Sequence, residues 1–148
     1  MKKMWIDGQW TQASDARTLP VHSPSTAQAF DEIPRGTVQD VDRAVRSARS
    51  SLSGAWGQLN ATERGRILMQ IAHKVMDHVE ELAQIEARDT GKPLTTARND
   101  IKVLSRYFEF YAGACDKLHG ETLPFRNGYT ALTWREPHGV TGHVIPWN

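Results

Sequence analysis

An α/β fold follows from three observations on the 148-residue sequence. Two short turn signals, Asp7-Gly8 and Asn127-Gly128, stand between apolar arms. Two long stretches in the middle carry apolar residues at a 3.6-residue period. A closing apolar run, Val140 to Ile145, reads as a buried strand and stops at Pro146, which has no N–H for a ladder.

Taken in order, Trp5-Ile6-Asp7-Gly8-Gln9-Trp10 reads as a tight hairpin. Its two tryptophans serve either as cross-strand packing partners or as a stacking platform for a ring. Thr18 to His22 and Ala27 to Ile33 read as extended segments around the turn Ser23-Pro24-Ser25-Thr26. Three helices are expected next. The first starts at Thr37, with Asp40 placed as in a capping box, carries Val41, Ala44, Val45, Ala48 and Leu52 on one face, and ends near Gly54. The second is capped by Asn60 and Glu63 and runs unbroken to Arg88, a span of roughly 40 Å at the α-helical rise, with Gly91 and Pro93 closing it. The third runs from Thr95 or Thr96 to Gly120 with Ile101, Leu104, Phe108, Tyr111, Cys115 and Leu118 as its stripe. The linker Asp89 to Pro93 is short enough to force an antiparallel helical pair. After Gly120 the period falls to two, giving a second hairpin around Asn127-Gly128 and then the closing strand.

The charge balance, 18 Lys+Arg against 17 Asp+Glu, excludes the basic footprint of a nucleic-acid or anionic-membrane binder. No apolar run is long enough to span a bilayer, and Asp7, Gly8 and Gln9 interrupt any signal-peptide core. A single cysteine cannot form an internal disulfide, so a reducing cytoplasm is the expected compartment. Cys115 falls on a helix stripe, where cysteine behaves as a small hydrophobe rather than a nucleophile. The six histidines are scattered, and His73 and His78 lie on different helical faces, against a histidine metal centre. Asp89 stands at a helix end, where a negative charge opposes the dipole; either a cation relieves it or solvent does. Asn148, at the expected strand end beside Pro146-Trp147, is a suitable oxyanion donor.

Several motifs together resemble the aldehyde dehydrogenase superfamily. They are Trp5 to Trp10, Asp89-Thr90-Gly91-Lys92-Pro93, Tyr111-Ala112-Gly113, Leu118 to Pro124, Arg135 to Val140 and Ile145-Pro146-Trp147-Asn148. Their order and spacing resemble the amino-terminal third of that family, with a betaine-aldehyde-like, NAD-dependent flavour. The resemblance implies that residues 1–119 form the helical part of a cofactor domain, 120–137 the first pass of a β arm for homo-oligomerisation, and 138–148 the first strand of a Rossmann-like sheet. It implies NAD or NADP as cofactor, an aldehyde as substrate, Asn148 as the catalytic oxyanion-hole donor, and Ile145 and Trp147 as cofactor-binding positions. Asp89, with backbone carbonyls at Val21 and His22, would hold a monovalent cation, and Val103 would lie near the substrate tunnel. The family's nucleophilic cysteine, general-base glutamate and glycine-rich loop are expected beyond Asn148, so this chain alone should be inactive. His138 departs from the family pattern, which has an apolar residue there. A non-catalytic interaction or oligomerisation module is the alternative function.

Overall fold

The computed structural model describes residues 2–146. β1 (Met4–Ile6) and β2 (Gln9–Thr11) pair antiparallel. Asp7 and Gly8 both take positive φ, 54° and 71°, the pattern of a type I′ turn whose twist matches the strands. Trp5 and Trp10 face each other across the ladder, edge to face, with ring centroids 4.8 Å apart. The packing alternative for the tryptophans is therefore the one realised. β3 (Thr18–His22) and β4 (Ala29–Pro34) form a second antiparallel pair, with a register slip between Val21 and His22.

α1 (Val38–Ser50) begins with a complete capping box: the Thr37 hydroxyl accepts from the Asp40 N–H and the Asp40 carboxylate accepts from the Thr37 N–H. Asp40 is only 1% exposed and also accepts from the Ser14 N–H at 3.1 Å, the Ser14 hydroxyl at 2.5 Å and the Arg43 guanidinium at 2.7 Å. A buried carboxylate needs such a donor shell to stay ionised. These bonds, led by the Ser14 hydroxyl, hold the Asp40 carboxyl far below the usual carboxylate range. They also pin the loop after β2 to the start of α1.

A single turn, α2 (Ala55–Gln58), leads to α3 (Ala61–Asp77), capped reciprocally by Asn60 and Glu63 as expected. The long second helix is not continuous. It breaks at His78 (φ −111°, ψ 21°), and α4 (Val79–Thr90) follows. The break interrupts little hydrogen bonding, because the His78 N–H still reaches the Lys74 carbonyl and the His78 carbonyl accepts from Leu82. Its physical reason is packing: the change of direction lays Val79, Leu82 and the fully buried Ala83 on α5 (Leu94–Ala114) beside Ala97 and Ile101.

α5 ends six residues before the expected Gly120, in a turn at Cys115 to Lys117, and Leu118 is exposed. Its buried face also differs from the expected stripe. Ala97, Ile101 and Ser105 are buried, while Leu104 and Tyr111 face outward. Small residues occupy the seam because α3 approaches closely. Gly65 lies against the Ala112 carbonyl, and the Ser105 hydroxyl donates to the Ala72 carbonyl at 2.9 Å. These contacts recur seven residues apart on both antiparallel helices.

β5 (Thr122–Leu123) and β6 (Ala131–Leu132) form the second expected hairpin, shorter and with a wider connection. Only Gly128 is left-handed in its turn, at φ 83°. Leu123, Phe125, Tyr129, Leu132 and Trp134 on it are all exposed. The expected closing strand carries no ladder among the described residues, since no strand of this chain runs beside residues 140–145. Backbone hydrogen bonds in a sheet require a neighbour, and sequence period cannot supply one.

Candidate functional site

The C-terminal end of α4 builds one side of a cleft of about 250 Å³. Gly91 adopts the left-handed conformation (φ 75°, ψ 6°) and its N–H caps the Ala87 carbonyl at 2.9 Å. A Cβ there would also stand 2.8 Å from the Pro24 ring, so only glycine lets this turn sit against the β3–β4 turn. The Lys92 ammonium reaches Glu86 of α4 at 2.6 Å and Asp100 of α5 at 3.0 Å, and its side chain is 23% exposed. Hydrogen bonds to Glu86 and then Asp100 hold the Lys92 ammonium above its ordinary pKa.

Val21, Phe30, Asp31, Ile85, Arg88 and Asp89 line the cleft, with Lys2 at its edge. The Arg88 guanidinium lies over the Phe30 ring at 4.3 Å, a cation–π contact. Asp31 accepts from the Glu32 N–H at 2.8 Å and faces the Lys2 ammonium at 3.9 Å; the backbone bond is the main cause of its lowered pKa. Asp89 is exposed at the end of α4, and no donor or cation meets its carboxylate among the described residues. Val21 and Asp89 thus line the same cleft. His22 follows the bulge and stands outside the lining.

The other expected positions separate from this cleft. Ile145 lies in the ladderless segment 140–146 and is exposed, with no backbone hydrogen bond among the described residues. Trp147 and Asn148 lie outside the described residues. Val103 is half-exposed on the outward face of α5, where it lines a shallow apolar depression of about 320 Å³ with Tyr107, Phe110 and Tyr111. Cys115 is half-buried, and its thiol donates to the Tyr111 carbonyl at 3.2 Å. Among the described residues no three His, Cys, Asp or Glu side chains gather as a metal centre. The Lys92 clip and the Arg88–Phe30 contact were invisible to sequence periodicity, because each joins groups on separate elements. Lys92 next to Gly91 was the nearest available signal.

The architecture and motifs match known proteins. The model of the "Aldehyde dehydrogenase family" matches residues 10–148. Aldehyde dehydrogenase family 2 member B4, mitochondrial, of Arabidopsis thaliana is 37% identical over 148 residues, covering 99% of this chain and 28% of that protein. A Burkholderia cenocepacia crystal structure assigned as an aldehyde dehydrogenase superposes with a TM-score of 0.95 at 59% identity, over 98% of this chain and 30% of that one. Staphylococcus aureus betaine aldehyde dehydrogenase, solved with NAD+, superposes with a TM-score of 0.81 at 32% identity, over 86% of this chain and 26% of its own. The chain spans less than a third of the length of the relatives it matches. With a family match running from Trp10 to the last residue and a backbone that follows a solved relative throughout, this chain belongs to the aldehyde dehydrogenase family.

Proposed function

We propose that the chain is the amino-terminal part of an NAD(P)-dependent aldehyde dehydrogenase that oxidises an aldehyde to a carboxylate. The observation that carries this reading is the match of 10–148 to the family together with the superposition at 59% identity. Residues 1–119 are the helical part of the cofactor domain, 120–137 the β arm of a homo-oligomer, and 138–148 the start of the nucleotide-binding sheet. Asn148 donates to the developing oxyanion, a contribution worth roughly 2.7–4 kcal/mol of barrier when one such donor is removed.

Nicotinamide cofactor supplies the hydride acceptor when bound. Support for NAD comes from the S. aureus relative solved with NAD+. Ile145 fits the role of a pocket backbone, since its peptide groups have no partner among the described residues; Trp147 is its companion. For a monovalent cation, the carboxylate of Asp89, which meets no partner among the described residues and lines the cleft with Val21, is a fitting oxygen donor, with the His22 carbonyl as a further candidate. Val103 contributes to the substrate tunnel. The protein acts in the cytoplasm, and among the described residues no helix is long and apolar enough to cross a membrane.

The 148-residue chain alone is inactive in this reading, because its one thiol is turned to the Tyr111 carbonyl. Aldehyde-dependent NAD(P)H formation at 340 nm tests it: none is expected from the isolated chain. Turnover lost on Cys115→Ala would refute the assignment of the nucleophile elsewhere. The second reading, an interaction or oligomerisation module without catalysis, draws on the exposed apolar side chains of the β5–β6 arm.

A further inference from the structure

The cleft beside α4 contains two pairs of opposite charges, and only one of them is joined. Asp31 is engaged: it accepts from the Glu32 N–H at 2.8 Å and faces the Lys2 ammonium at 3.9 Å. Arg88 and Asp89 are opposite charges on consecutive residues of α4, and both line the cleft. Neighbours in a helix point about 100° apart and do not face each other. Arg88 and Asp89 therefore do not neutralise one another, although they border the same space.

Each is left with something to bind. The Arg88 guanidinium carbon stands 4.3 Å from the centre of the Phe30 ring, and no acceptor meets its N–H groups among the described residues. Asp89 meets no donor among them, and its charge near the C-terminal end of α4 opposes the helix dipole. A positive group at Asp89 and a negative one at Arg88 would relieve both. The rest of the lining is apolar: Val21 comes from β3, Phe30 and Ile33 from β4, and Ile85 from α4. At about 250 Å³ the cleft is smaller than the usual site for a drug-sized ligand, about 300–1,000 Å³, and suits a molecule of amino-acid size.

We infer that this cleft binds a small zwitterion with an aliphatic group, namely an aliphatic α-amino acid. Its carboxylate accepts from the Arg88 guanidinium, its ammonium donates to Asp89, and its side chain covers Val21, Ile33 and Ile85. A simple carboxylate would leave Asp89 unpaired, a simple amine would leave Arg88 unpaired, and a ligand without an aliphatic group would leave the apolar lining wet. The inference is independent of the enzyme reading. The two overlap at Asp89, which a monovalent cation would also occupy, so the ligand is tested in buffer free of sodium and potassium.

Equilibrium dialysis of the 148-residue chain with radiolabelled L-leucine measures the binding, with unlabelled analogues as competitors. One site per chain is expected. L-leucinamide lacks the carboxylate, 4-methylpentanoate the ammonium and glycine the aliphatic group, and each should compete about tenfold less well than leucine, or worse. Two variants sort the contacts. Arg88→Gln should abolish the preference for leucine over leucinamide and keep that over 4-methylpentanoate; Asp89→Asn should do the reverse. A variant that only disturbed the fold would lose both preferences together, and circular dichroism at 222 nm checks for this. Should Arg88→Gln alter the spectrum, Arg88→Met, which keeps a long stem over Phe30, replaces it. No leucine retained at millimolar concentration, analogues that compete as well as leucine, or variants that keep both preferences would overturn the inference.

Discussion

Replacing Gly65 with alanine sets two effects of similar size against each other. Gly65 is buried in α3, and alanine in a helix interior is favoured over glycine by about 1 kcal/mol. Yet a Cβ at this position would stand 2.6 Å from the Ala112 carbonyl oxygen of α5, whereas ordinary contact begins at 3.4 Å. The obstacle is backbone, so the helices must separate by about 0.8 Å rather than rotate a side chain aside. That movement also strains the Ser105 to Ala72 bond, two turns along the same seam. Overpacking of this kind costs about 1–3 kcal/mol, so clash should exceed propensity and Gly65→Ala should lose up to about 2 kcal/mol. Gly113→Ala is the matched control. It lies in α5, is exposed, and its added Cβ would meet nothing within 4 Å, so it should gain up to about 1 kcal/mol. Urea unfolding of the 148-residue chain followed at 222 nm gives both values from the midpoints and a common slope. Gly65→Ala as stable as Gly113→Ala, or more so, would refute the close approach of α3 and α5.

Other expected outcomes concern the cap, the core and the buried carboxylate. Asn60→Ala should cost about 1 kcal/mol, because the Glu63 N–H loses its acceptor at the start of α3; urea midpoints measure it. Ile101→Ala should cost about 2–5 kcal/mol and Ile101→Val about 0.5–1.5, since Ile101 fills the space between Val75, Ala83 and Ala97; equal losses would contradict that packing. Asp40→Asn should lower stability at pH 7. Since the folded carboxyl lies far below the ordinary value of 3.8, the stability it contributes is complete above that pH and is lost as pH falls below it. The difference between parent and variant should therefore hold steady from pH 7 down towards 3.8 and shrink as the pH falls below it, and a difference that grows on acidification would contradict the donor shell.

Local chemistry made much of the fold legible. Asp7-Gly8 specified a turn by its tolerance of positive φ, and Thr37 with Asp40 and Asn60 with Glu63 marked two helix starts that the structure keeps. What depended on partners was less accessible. Nothing around His78 is a strong helix breaker, and the bend there answers to packing on α5. The apolar period of α5 pointed to Leu104 and Tyr111, but the seam uses Ala97 and Ser105, because close approach selects small residues over large ones. Val140 to Ile145 has the composition of a buried strand but no neighbouring strand among the described residues. At the candidate cleft, the charge of Asp89 at a helix end was readable; its approach to Val21 depended on how the α4–α5 turn meets the β3–β4 turn.

The Lys92 clip bears on chemical reactivity. Amine-reactive probes attack only the unprotonated amine, and Lys92 is both shielded and, with Glu86 and Asp100 on its ammonium, slow to give up its proton. Gentle acylation should decorate the outlying lysines first and leave this one unmodified until the helical hairpin opens. The labelling state of Lys92 would then report the opening of the α4–α5 turn itself, distinguishing a loosened hairpin from a frayed terminus.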